Sequence, residues 1–190
     1  MKKFIYAILI LVVSTLSGQN KIGTAAAEFL TIPVGSKAMG MGGAFVAVSD
    51  DITSAYWNPG GLSRLKSNEF NVNYSDWFID TKLSWMGLGV KISENDYASV
   101  SIMFLDYGEE QVTTVDSPEG TGQMWDASDM AISLSYAKNL TDRFSIGGSF
   151  KYIQQKIWNE SASAIAFDVG LLYQTHFEGL NIGMSIANFG

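Results

Sequence analysis

The sequence predicts an all-β fold: an antiparallel transmembrane β-barrel of the outer membrane, with a small plug segment ahead of its first strand. Three observations carry that expectation. The chain opens on a secretory leader, and from residue 68 onward it breaks into period-two segments of membrane-spanning length. It also combines 47% hydrophobic and 13% aromatic residues with 19 glycines and 3 prolines, which suits frequent turns and an aromatic surface.

Lys2 and Lys3 precede an unbroken apolar run from Phe4 to Val13, and the small residues Ser14, Thr15, Ser17 and Gly18 close it. That pattern is a cleavable Sec signal peptide. A membrane-spanning helix needs roughly 20 apolar residues, so cleavage near Ser17 or Gly18 is expected, not anchoring. The expected division is a leader over residues 1–18, a plug or hatch segment over 19–67, and the N-terminal part of a barrel over 68–190. The chain has no cysteine, which excludes a disulfide framework and a lipid-modified cysteine. Formal net charge is −7, more negative still without the two leader lysines, so no basic footprint for nucleic acid exists.

The strands follow in order. Phe70, Val72 and Tyr74 predict a first strand over 68–74, and Met86, Leu88, Val90 and Ile92 a second over 80–92. Ala98, Val100, Ile102 and Phe104 share one face of a third, over 97–107. Over 129–137, Met130, Ile132, Leu134 and Tyr136 oppose Ala131, Ser133, Ser135 and Ala137. Over 144–157, Phe144, Ile146, Phe150 and Tyr152 oppose Ser145, Gly147, Ser149, Lys151 and Gln155, with Gly148 interrupting the apolar face. Over 164–174, Ile165, Phe167, Val169, Leu171 and Tyr173 oppose Ala164, Ala166, Asp168, Gly170 and Gln174. A seventh strand begins near Leu180. Such segments approach the ~9–11 residues that cross a bilayer as a tilted strand, with one face to lipid and one to a polar lumen. Trp85, Tyr97, Tyr107, Tyr152, Trp158 and Tyr173 fall near strand ends and are expected at the lipid–water boundary.

Short links at 93–96, 138–143 and 175–179 are expected as periplasmic turns, and longer ones at 108–128 and 158–163 as outer loops. This puts the N-terminal segment on the periplasmic side. An odd strand number, with a strand still in progress at Gly190, leaves edges that lipid does not satisfy; the sequence is therefore expected to continue beyond this stretch. Arginine at lipid-facing Ile132, Leu134, Phe167 or Val169 is expected to cost ~2–4 kcal/mol, and much less at lumen-facing Ser133 or Ser149.

Between Ala25 and Leu62 the alternation is absent. Gly40, Gly42 and Gly43 permit tight backbone approaches, and Asp50 and Asp51 lead into the Asn58-Pro59-Gly60-Gly61 turn signal. The glycines open no helix of a βαβ unit, so a dinucleotide or phosphate loop is not expected. The run Phe29-Leu30, Pro33-Val34-Gly35, Lys37-Ala38, Gly40-Met41-Gly42-Gly43-Ala44-Phe45-Val46-Ala47-Val48, Asp50-Asp51 and Tyr56-Trp57-Asn58-Pro59 resembles the N-terminal signature of the PorV/PorQ family. That family is related to the FadL-type (OMPP1/toluene transporter) barrels. Gly60 departs mildly from it, standing where an alanine is common.

The resemblance implies a FadL-like barrel of fourteen strands, of which about half lie in this chain, and a hatch that includes Gly40, Gly42, Gly43, Asp50, Asp51, Asn58 and Pro59. It also implies two occupations. Type IX secretion members receive cargo proteins by their C-terminal sorting domains and pass them to a cell-surface attachment complex. FadL-type members conduct long-chain fatty acids and other hydrophobic small molecules. The partners expected are therefore outer-membrane lipid and either cargo or hydrophobic molecules. A third class, a lipid-modifying enzyme, finds little support: His176 is the only histidine and falls in a turn, where a catalytic triad would have a loosely held base. No catalytic residue, metal site or cofactor is expected. Lys91, Lys151 and Asp168 share lumen-facing parity and are expected to line the pore or to pair. Seven acidic residues between Asp106 and Asp129, with no lysine or arginine, match no calcium loop and read as a solvated outer loop.

Overall fold

The computed structural model describes residues 26–190; the expected leader lies outside the described residues. Seven strands, β1 (Glu69–Asp76), β2 (Lys82–Lys91), β3 (Asp96–Gln111), β4 (Met124–Asn139), β5 (Phe144–Ile157), β6 (Glu160–Gln174) and β7 (Asn181–Phe189), form one sheet. Every neighbouring pair is antiparallel, and sheet order equals chain order. Each link therefore only has to reverse the chain, which is why residues 92–95, 140–143 and 175–180 suffice at one end of the sheet, here the turn end.

At the opposite, loop end the links are residues 77–81, 112–123 and 158–159. Two of them are shorter than the alternation predicts. β3 and β4 stay paired past a bulge between Asp106 and Glu109, as far as Gln111 opposite Met124. β5 and β6 stay paired to Ile157 opposite Glu160, leaving only Trp158 and Asn159 in the turn. Polar residues in register continue a ladder as well as apolar ones do, so loss of apolar alternation marks the edge of the apolar band and not the end of the strand.

The sheet has two unlike faces. Phe70, Val72, Met86, Leu88, Val100, Phe104, Leu134, Phe150, Phe167 and Val169 are exposed on the outer one. From β2 to β6 most residues of the other parity are buried, and the segment that precedes β1 packs on this face. The buried residues are small in the middle of the sheet, where Ser101 lies opposite Ser133 and Ser99 opposite Ser135, which in turn lies opposite Ser149. Trp85 and Tyr97 belong to this buried face, not to a lipid boundary: two residues per turn of the pleat put them opposite in sense to Met86 and Ala98. Tyr152, Tyr173 and Trp158 stay partly exposed.

The plug is built from single turns, the 3-10 segments Glu28–Thr31 and Pro59–Arg64 and the helical turns Ser36–Gly40 and Ser54–Trp57. Its Phe45, Ile52, Leu62 and Leu65 are fully buried. Burying each such side chain is worth about 1.5–3 kcal/mol, enough for short turns to hold without intrinsic helix stability. The plug reaches along the sheet from one end to the other. Its Ala27 amide donates to Gln155 Oε1 at 3.2 Å toward the loop end, and its Arg64 guanidinium donates to the Arg143 carbonyl at 3.3 Å at the turn end, where β1 begins.

That placement revises the expected cost of arginine on the two faces. Leu134→Arg should still cost ~2–4 kcal/mol on a lipid-facing strand. Ser133 and Ser149 are both buried beneath the plug, however, so arginine there has no water-filled lumen to enter. Leu134→Arg and Ser133→Arg should both lower the refolding midpoint, and removal of the plug should rescue only Ser133→Arg.

Candidate functional site

The plug is seated by a notch in the wall. Gly147 of β5 and Gly170 of β6 are direct cross-strand partners, so two adjacent positions of the buried face lack a Cβ. Pro59 and Gly60 press into that gap. A Cβ at Gly147 would lie 2.4 Å from the Pro59 carbonyl carbon, and one at Gly170 would lie 2.0 Å from Asn58 Oδ1. Asn58, fully buried, donates through Nδ2 to the carbonyls of Leu171 at 2.9 Å and Val46 at 2.7 Å, and its Oδ1 accepts from the Gly60 amide at 3.0 Å. Ser145 Oγ donates to the Gly60 carbonyl at 3.0 Å. One side chain thus ties together the glycine-rich half of the plug, the turn, and β6.

Beside the notch lies a buried charge pair. Lys151 Nζ stands 2.8 Å from Asp168 Oδ2, with both side chains almost wholly removed from solvent. Lys151 Nζ also donates to Asn188 Oδ1 at 2.6 Å, and the Asn188 amide donates to Asp168 Oδ1 at 2.8 Å. The triangle links β5, β6 and β7. Lys91 takes no part in it; it is exposed near the turn end with its ammonium 5.8 Å from the Tyr97 ring.

Tyr56 covers this pair from the plug side, donating its hydroxyl to the Leu30 carbonyl at 3.0 Å. Burial, and after it the Asp168 carboxylate, push the Tyr56 hydroxyl up to about 12. The folded form therefore holds this proton more tightly than the unfolded chain, whose tyrosines titrate near ~10. The resulting stability is complete below pH ~10 and is lost as pH rises toward 12. Protease protection of the plug should follow that course, and Tyr56→Phe should flatten it.

The other predicted hatch residues act within the plug. Gly40 ends the helical turn Ser36–Gly40, and Gly42 and Gly43 have φ of 64° and 80°. Their role is this left-handed turn and not an approach to the wall: a Cβ at Gly42 meets nothing, and one at Gly43 meets only Trp57 of the plug itself. Asp50 pairs with Lys37, and Asp51 accepts from the Thr53 amide at 2.8 Å. Both carboxylates thus organise plug turns.

At the loop end the strands of the wall leave a cup of about 590 Å³ lined by Tyr107, Trp125, Ala127, Asp129, Gln155 and Ile157, among others. Asp129 at its floor is buried, accepting from the Tyr107 hydroxyl at 2.8 Å and from Gln155 Nε2 at 3.1 Å. The acidic stretch does not gather: Asp126 pairs with Lys156 at 2.9 Å, and among the described residues no cluster suited to a metal ion forms. His176 is exposed in the β6–β7 turn.

Gly147, Gly170, Ser145, Tyr56 and Asn188 complete this site and were not singled out as functional by sequence reasoning. Their one legible signal is parity, which puts Gly147 and Gly170 on the lumen-facing side of adjacent strands. A family model described as PorV, type IX secretion system protein PorV, matches residues 15–179. No curated protein matches the chain.

Proposed function

The chain belongs to the PorV family of type IX secretion system proteins, and from that premise we propose that this outer-membrane component is a non-catalytic carrier of secreted cargo. In this reading it receives proteins by their C-terminal sorting domains and hands them to a cell-surface attachment complex. The observation that carries it is the seated plug. The Asn58-Pro59-Gly60 turn packs against Gly147 and Gly170 toward the turn end, while a cup of about 590 Å³ beneath Tyr107 and Trp125 faces the loop end. A wall blocked below and hollow above suits a receptor for material arriving outside better than a conduit.

The test is deletion of the gene followed by complementation. Cargo carrying the sorting domain should accumulate in the periplasm without the protein and return to the surface with it. A photo-crosslinker at Trp125 should capture that domain. Normal cargo display in the deletion strain rules the reading out. The apolar lining of the cup favours a second occupation, FadL-like transport of long-chain fatty acids or other hydrophobic molecules; it predicts loss of fatty-acid uptake with cargo display intact.

A further inference from the structure

The geometry points to the β1–β2 tip, Phe78 and Ile79, as an anchor embedded in the outer leaflet of the bilayer, an assignment that rests on the outer-membrane placement of the sheet. These side chains are 74% and 77% exposed, whereas the neighbouring Trp77 turns inward beside Val34, Met39 and Trp85. On a loop projecting into water they would be an unexplained apolar knob. The register shows that they do not project.

On the outer face, Asp76 lies opposite Lys82, Lys82 opposite Asp106, and Asp106 opposite Ser128. This polar row ends the apolar band, whose uppermost members Tyr74, Phe104 and Met130 share the next row down with Ser84. Above the row β3 continues to Gln111 and carries a further loop, whereas β1 stops at Asp76 and its link closes at once, the Trp77 amide donating to the Thr81 carbonyl at 2.8 Å. With about 3.3 Å of rise per strand residue, the tip stands less than ~10 Å above the row, within headgroup depth.

The band boundary also lies high at this edge of the sheet. Met130 of β4 lies opposite Gln154 of β5, and Gln154 opposite Ser163 of β6, so the apolar band slips toward the turn end from β4 to β6. From β1 to β4 it holds level, Tyr74, Phe104 and Met130 sharing one row, so at β1 it ends at the Asp76–Lys82 pair directly beneath the tip. The tip is also continuous with the exposed apolar face of its own hairpin, Phe70, Val72, Tyr74, Met86 and Leu88.

The backbone agrees. Ile79 and Asp80 have φ of 54° and 57°, the left-handed pair of a tight hairpin turn that ordinarily takes Asn-Gly. A β-branched residue is disfavoured there, so a turn needed only to reverse the chain gains nothing from isoleucine, whereas a membrane anchor gains an apolar side chain at its highest point.

The cysteine-free chain allows a direct test. The full chain is refolded into phosphatidylethanolamine–phosphatidylglycerol vesicles with a nitroxide on Phe78→Cys. Val115→Cys, fully exposed in the β3–β4 loop, serves as the aqueous reference, and Leu134→Cys as the lipid reference. The label at 78 should collide with oxygen more readily than with a water-soluble nickel complex, as at 134 and opposite to 115. Nickel access at 78 with 134 still shielded overturns the anchor alone, while nickel access at 134 overturns the membrane placement on which it rests. Shielding at 78 that appears only in native envelopes overturns it in favour of a protein partner.

Discussion

Valine at Gly147 is expected to expel the plug while the sheet still assembles. Its Cβ would lie 2.4 Å from the Pro59 carbonyl carbon and oxygen and 2.6 Å from the Gly60 amide nitrogen. These are backbone atoms, which cannot swing aside as a side chain can. Overpacking of this kind costs about 1–3 kcal/mol where the surroundings yield, and here the seat itself is filled. The Asn58 bond to the Leu171 carbonyl of β6 would open with it, and a buried polar group left without its partner costs about 1–3 kcal/mol. Gly148→Val is the control, since its Cβ would meet only the Asp168 carbonyl oxygen, at 3.4 Å. Limited proteolysis should nick the plug of Gly147→Val and spare that of Gly148→Val, with both showing heat-modifiable migration on gels. Equal resistance in the two variants would show that the notch does not hold the plug.

Removing Lys151 should destabilise the protein by about 3–5 kcal/mol, because it leaves the Asp168 carboxylate buried without its cation. Lys151→Met keeps most of the side-chain volume, so the loss would be electrostatic and not a cavity effect. Asp168→Leu should cost a similar amount for the mirrored reason. It also releases the Asn188 amide, which now donates to Asp168 at 2.8 Å. The double substitution Lys151→Met with Asp168→Leu should recover most of either loss, since a well-packed apolar pair replaces an ion pair at little net cost. Denaturant titration in detergent micelles reads all three. Single variants within about 1 kcal/mol of the parent would mean that water reaches the pair, as at exposed ion pairs.

The strands were legible because each carries a complete alternation. Phe144 to Ile157 was read with the bounds β5 has, since a period-two pattern over fourteen positions fits no helix. The ends of β3, β4 and β6 were not, because Gly108 to Gln111 and Glu160 to Ser163 are mostly polar and Met124 to Ser128 mixes polar and apolar residues on each face, so no alternation marks the pairing. The same parity puts Trp85 and Tyr97 on the buried side, although both stand near strand ends.

The plug divides the two kinds of information most sharply. Its sequence determined that residues 25–62 do not alternate as spanning strands do and that Asn58 to Gly61 turn sharply, while Gly42 and Gly43, expected to let the backbone pass close to the wall, instead take left-handed conformations within the plug. All of these are local properties, set by which φ and ψ a residue tolerates and by which side chain bonds its own backbone. Where that segment lies, and which glycines meet the wall, depended on partners 85 to 113 positions away, such as Ser145 for Gly60 and Leu171 for Asn58. Gly147 and Gly170 look like ordinary breaks in two separate strands until the register sets them side by side. Lys151 and Asp168 likewise become a buried pair only when β5 and β6 align beneath Tyr56. The sequence alone determined the strands and the turns; only the tertiary structure decided the seat, because a contact between distant residues is fixed by strand register and packing, which no local pattern encodes.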